Sequence, residues 1–206
     1  MDRRNFVALS FGGLALPLAS GAYAQHAHGG QGSATDGTPA QFLPRNAPDP
    51  SPQDGDIARY PRCPYCGMDR RQFHHSRMLI HYGNGVPDAV CSIHCAAISL
   101  ALNIDAEPRA IWVADNAPAG EPKPLVDVDK ATFLIGGSTP GVMTLRSKVA
   151  FGSESAAKAA QAAQGGATGD FNAALLAAYS DMSGDVARIR KNREARRQRM
   201  SAPTGK

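Results

Sequence analysis

The strongest constraint on this chain is the crowding of its sulfur ligands. All four cysteines of the 206-residue sequence, Cys63, Cys66, Cys91 and Cys95, fall within one short window. Four of the six histidines, His74, His75, His81 and His94, share that window with Met68 and Met78. Core packing alone does not gather residues in this way. The residues by themselves allow three chemistries. Cys63-x-x-Cys66 followed by Cys91-x-x-His94-Cys95 has the pair-plus-pair spacing of a structural zinc knuckle, one pair in a loop and one at a helix start. In an exported chain the same cysteines can end as disulfides, with three pairings that spacing does not separate. Cys66-Gly67-Met68 adds a thioether two residues from a thiolate, and soft sulfur ligands of this kind select Cu(I).

Export is expected from the first 24 residues. Arg3 and Arg4 precede an uncharged stretch over residues 6–18, and Ala22-Tyr23-Ala24 supplies small residues at a cleavage spacing. Asp2-Arg3-Arg4-Asn5-Phe6-Val7 resembles the twin-arginine consensus, which implies export of a folded chain; an ordinary secretory signal leads to the same periplasmic compartment. The apolar run is short of the ~20 residues that span a membrane. No cysteine stands at the cleavage position, so no lipid anchor is expected.

The formal net charge is +4, but its distribution matters more than its sum. Arg188, Arg190, Lys191, Arg193, Arg196, Arg197, Arg199 and Lys206 crowd the last stretch against Glu194 alone, leaving the rest of the chain acidic. Basicity confined to a tail argues against a nucleic-acid-binding domain. That tail, residues 183–206, reads as a solvated helix or a disordered segment, with docking to a partner or a membrane surface as its functional alternative.

Between signal and tail the pattern predicts an α+β chain. Residues 25–60, rich in Pro and Gly and poor in large apolar side chains, read as a disordered linker, with His26 and His28 able to hold Cu(II) weakly. Residues 61–106 form a first, metal-binding ββα unit. Residues 77–82 and 88–90 are its strands around Gly83-Asn84-Gly85, and Ser92 caps a helix over residues 93–102. Residues 107–182 form a second ββα-type unit. Its strands lie near Trp112, a core residue, and over residues 132–135 and 148–151; an Ala-rich helix then ends at Gly165-Gly166, and a further helix spans residues 171–179.

Several of these motifs together resemble the NosL family, accessory proteins of nitrous oxide reductase maturation. They are Cys63-Pro64-Tyr65-Cys66-Gly67-Met68, Met78-Leu79-Ile80-His81-Tyr82 and Val90-Cys91-Ser92. Further on come Phe133-Leu134-Ile135-Gly136-Gly137, Gly141-Val142-Met143 and Val149-Ala150-Phe151-Gly152-Ser153. The resemblance covers residues 63–166. It implies two small ββαβ-like units with short antiparallel sheets, and a periplasmic Cu(I) carrier supplying apo nitrous oxide reductase or its maturation complex. Cys66 and Met68 match the family's Cys-x-Met motif, and Met143, in the Gly-Val-Met motif, is the expected third ligand. His81 and His94 are candidate imidazole ligands; Cys63, Cys91 and Cys95 complete the candidate set. His74 and His75 are expected to face solvent in a loop, while Met182 and Met200 are assigned nothing.

Two features depart from the family. The signal carries no lipobox, and Cys91-Ser92-Ile93-His94-Cys95 holds more ligands than the family's pattern, which keeps a zinc site or a second metal open. A thiol oxidoreductase is the enzymatic alternative. Such a motif opens a helix, whereas Gly67 and a polar, Arg- and His-rich run follow Cys66.

Overall fold

The computed structural model describes residues 46–104 and 106–201. The signal segment, His26, His28, the first part of the expected linker, and Lys206 lie outside the described residues.

The short helix α1 (Asp56–Arg59) precedes a four-stranded antiparallel sheet. That sheet holds β1 (Met78–Tyr82), β2 (Pro87–Val90), β3 (Pro108–Ala114) and β4 (Leu125–Asp127) in the order β2-β1-β3-β4. Helix α2 (Ile93–Leu102) runs between β2 and β3. After a 3-10 turn at Val128–Lys130 comes a second sheet, of β5 (Thr132–Pro140), β6 (Arg146–Phe151) and β7 (Ala167–Gly169), ordered β6-β5-β7. Helix α3 (Glu154–Gln164) connects β6 to β7, and α4 (Phe171–Ser201) closes the chain. The architecture is α+β with two ββαβ units, as expected.

Three boundaries differ from the sequence reading. The linker expected through Tyr60 gives way earlier, because Asp56 and Ile57 are buried. Asp56 Oδ2 accepts from Arg70 Nη2 at 2.8 Å and from Arg77 Nε at 3.0 Å. Two arginines sealed in the fold need a counter-charge, and this segment brings it. The strand around Trp112, assigned to the second unit, pairs with β1 and belongs to the first sheet. Each unit therefore closes with a strand after its helix. Trp112 is half-buried at the sheet face, not in the core. Finally, the helix from Phe171 does not stop at Tyr179 but continues through the basic tail to Ser201.

Period-two alternation explains how the layers stack. Met78, Ile80 and Tyr82 of β1 point into one core with Val90, Val113, Phe133, Ala150, Ala174 and Ala178, so both sheets and α4 share it. Leu134, next to Phe133, faces the other way and packs with Val149, Phe151 and Ala157 of α3. The sheets are also joined by Asn116, whose Nδ2 donates to His75 O at 2.8 Å and Ala150 O at 3.1 Å. No helix among the described residues is long and apolar enough to cross a membrane.

Candidate metal centre

The four cysteines arrive from two local structures. The first is the turn over residues 63–68. Cys63 N–H donates to Met68 O at 3.0 Å and Gly67 N–H to Cys63 O at 2.9 Å. Gly67 takes the left-handed φ of 78° that folds the turn back on itself. The second is the corner from β2 into α2. Cys91 ends that corner, and Cys95 stands one helical turn further on, on the same face.

The two structures converge. The four Sγ atoms all lie within 4.8 Å of one another, with Cys66 to Cys91 at 3.3 Å and Cys91 to Cys95 at 3.7 Å. All four thiols are free. Metal–sulfur bonds of about 2.3 Å in a tetrahedron imply sulfur–sulfur edges of about 3.8 Å, so one ion fits among the four with little movement. Cys63, Cys91 and Cys95 are buried, whereas Cys66 and Met68 are half-buried.

Crowding spreads the thiol acidities. The neighbouring Cys66, Cys91 and Cys95 thiols pull the Cys63 pKa far below its ordinary value. Cys91 is pushed up by the nearby Cys63 and Cys66 sulfurs, and Cys95 by Cys63, Cys66 and Cys91; burial adds to both. The fully buried Arg70 lies near enough to Cys63 for their charges to interact, and its Nε donates to Val90 O at 3.3 Å. A cation beside the cluster offsets part of the thiolate charge.

The remaining candidates are scattered. His81 lies on the opposite face of β1 from Met78 and Ile80, stacked on Trp112 with ring centroids 6.4 Å apart, and its Nε2 meets Gly85 O at 3.1 Å. Strand parity turns it away from the thiols. His94, beside Cys95, is buried with Nδ1 turned toward Asp185 Oδ2 on α4 at 3.7 Å; burial lowers its pKa. Met143 has a left-handed φ of 65°, packs at the margin of the shared core, and its carbonyl accepts from Arg188 at 3.2 Å. His74 does not face solvent as expected: it is buried, and its Nδ1 accepts from Lys123 N–H at 3.2 Å. His75 is half-buried, and burial lowers its pKa. Sequence reasoning missed Tyr65, Asp88 and Ser99, which bond to one another beside the cluster; an aspartate within an apolar strand was the available signal.

Two ββαβ units, with four converged free thiols on the first and on the turn that precedes it, define a thiol-rich metal-binding protein of the α+β class. The NosL family model matches residues 55–175, more than half of the sequence. The chain belongs to the NosL family, which is not a family of enzymes. No curated protein matches it. Among solved structures it is similar to the crystal structure of the copper chaperone NosL from Shewanella denitrificans. The identity is 21%, covering 54% of this chain and 87% of that one, with a TM-score of 0.46. It is also similar to the solution NMR structure of the apo-NosL protein from Achromobacter cycloclastes. There the identity is 24%, covering 46% of this chain and 82% of that one, with a TM-score of 0.33.

Proposed function

We propose that the chain is a periplasmic Cu(I) carrier. In this reading it serves nitrous oxide reductase maturation by handing the ion to the apo-enzyme or its maturation complex. The observation that carries the reading is the convergence of four free thiols, one of them half-exposed and followed by a thioether, in a NosL-family chain. Cu(I) is soft, takes few ligands and prefers sulfur. Here it has more sulfur within reach than it needs. Cys63, Cys91 and Cys95 would retain it, while the half-buried Cys66 and Met68 exchange with sulfur ligands of an acceptor. Surplus ligands let an ion pass by replacement, so tight holding and ready release are compatible. Met143 and His94 remain proposed auxiliary ligands; His81 does not. Loading displaces the protons held on Cys91 and Cys95, so affinity should fall as pH falls.

One observation favours a second reading. The sulfur–sulfur distances also suit a resident tetrahedral zinc, which would make the first unit a zinc-stabilised module. Anaerobic titration of the reduced protein with Cu(I) against a competing chelator, with Zn(II) in parallel, separates the two. A carrier binds Cu(I) tightly and zinc weakly, and Cys66→Ser or Met68→Leu lowers Cu(I) affinity by about tenfold or more. Strong zinc binding indifferent to Met68, with no Cu(I) preference, would overturn the carrier.

A further inference from the structure

Asp88 is fully buried on β2, 0% exposed, yet it offers nothing to a soft metal. A carboxyl in an apolar core is costly unless hydrogen bonds compensate it. Here two hydroxyls do so at a single oxygen. Tyr65 Oη and Ser99 Oγ each donate to Asp88 Oδ2 at 2.5 Å, while Oδ1 has no partner. Tyr82 Oη backs Ser99 Oγ at 2.7 Å.

These bonds fall on the segments that carry the cysteines. Tyr65 sits inside the Cys63–Cys66 turn. Ser99 lies one helical turn beyond Cys95 on α2. Asp88 itself stands three residues before Cys91. One carboxyl thus ties together every piece of chain that contributes a thiol. Apart from the Cys66–Cys91 thiol contact, Tyr65 to Asp88 is the only hydrogen bond from residues 63–68 to the first sheet or to α2 among the described residues.

We infer that the Tyr65–Asp88 bond is a latch: it holds the half-exposed turn down on the buried thiols and sets how fast a bound Cu(I) leaves. Asp88 is then a positioning residue, and the inference rests on the carrier reading above. An acceptor can take the ion only when Cys66 and Met68 move off Cys91 and Cys95. The turn's internal bonds, Cys63 N–H to Met68 O and Gly67 N–H to Cys63 O, do not oppose that movement, because they travel with it. The phenol–carboxyl bond does oppose it.

Tyr65→Phe deletes the bond and leaves the turn and the sulfur set intact. Tyr60→Phe is the matched control, since Tyr60 Oη donates to Asp49, a buried aspartate away from the cluster. Two quantities are measured: the rate at which Cu(I)-loaded protein surrenders its ion to excess chelator, and the rate at which the buried Cys91 and Cys95 thiols of the reduced, metal-free protein are alkylated. Tyr65→Phe should speed release about tenfold or more, as expected for losing a hydrogen bond to a carboxylate. It should also speed alkylation of Cys91 and Cys95, while Tyr60→Phe leaves both rates unchanged. Wild-type release in Tyr65→Phe, or equal acceleration by Tyr60→Phe, overturns the latch. If the wild-type protein takes up no Cu(I), the carrier reading fails by itself. The latch is then decided by alkylation of Cys91 and Cys95 alone, and an unchanged rate in Tyr65→Phe refutes it.

Discussion

The two ββαβ units share a topology and differ in what they can hold. In each, the first strand lies in the middle of the sheet, and a strand runs into a helix through a serine: Val90-Cys91-Ser92 in the first, Phe151-Gly152-Ser153 in the second. In the second unit that serine is an ordinary cap, its Oγ accepting from Ala156 N–H at 3.3 Å. Only Ala157 of α3 is buried. In the first unit Ser92 makes no side-chain cap bond, and α2 is buried from Ile93 through Ala97 under α4 and the sheets. Burial lets Cys91 and Cys95 face a dry interior. The topology supplies only those two sulfurs, however. The other two come from the turn that precedes β1, whereas β5 is preceded by a 3-10 turn without sulfur. The first unit thus differs from the second by a sulfur-bearing turn ahead of its first strand.

Substitutions at matched positions test that contrast. The largest effect is expected at the corner. Cys91→Ser should weaken Cu(I) binding at least about 100-fold, the upper end of what even outer-shell partners contribute. Gly152→Ala at the equivalent position should leave binding alone. Its Cβ would collide with the Asp115 carboxylate, which accepts from Gly152 N–H at 2.7 Å. Overpacking there should destabilise the fold by about 1–3 kcal/mol. Chelator competition and thermal melts on both variants decide it; loss of binding in Gly152→Ala would erase the distinction between the units.

Alkaline pH offers a second contrast, because the first unit's β1 ends in a buried tyrosine, Tyr82, and β5 of the second carries none. Burial raises the Tyr82 pKa to about 12 from the usual 10. The folded state holds that proton more tightly than the unfolded state, so the stabilisation is complete below about pH 10 and disappears as pH rises toward 12. The loss amounts to about 3 kcal/mol, at 1.36 kcal/mol per pKa unit. Denaturant unfolding measured across that range should show the decline, and Tyr82→Phe should flatten its dependence on pH. An unchanged profile in that variant would count against Tyr82 as its source.

The smallest effect is expected at the serines. Ser153→Ala loses a cap and should destabilise by about 1 kcal/mol. Ser92→Ala loses none and should do less, as read by denaturant midpoint. Equal losses would mean that the two corners are alike after all.

Local features of this molecule were legible in the sequence. The cysteine spacings, Gly67 in its turn, the strands on either side of Gly83-Asn84-Gly85, the helix start at Ser92 and the Gly165-Gly166 stop all depend on a few neighbouring residues. Even the turning of His81 to the other face of β1 was there to be read, since it is out of phase with Met78 and Ile80 on one strand. The helix through Gly184 was harder, because one glycine weakens a helix without ending it, and packing of Ala174, Ala177 and Ala178 carries α4 onward.

By itself, then, the sequence determined the donor chemistry, the two-unit pattern and the family. Only the tertiary structure decided that all four thiols share one site, that the strand of Trp112 closes the first unit, and that His74 is sealed. It alone placed Asp56 against two buried arginines and Asp88 between Tyr65 and Ser99. The reason is range. Turn chemistry and side-chain alternation act over a few residues, whereas strand partners, burial and the compensation of buried charge depend on chain segments tens of residues apart.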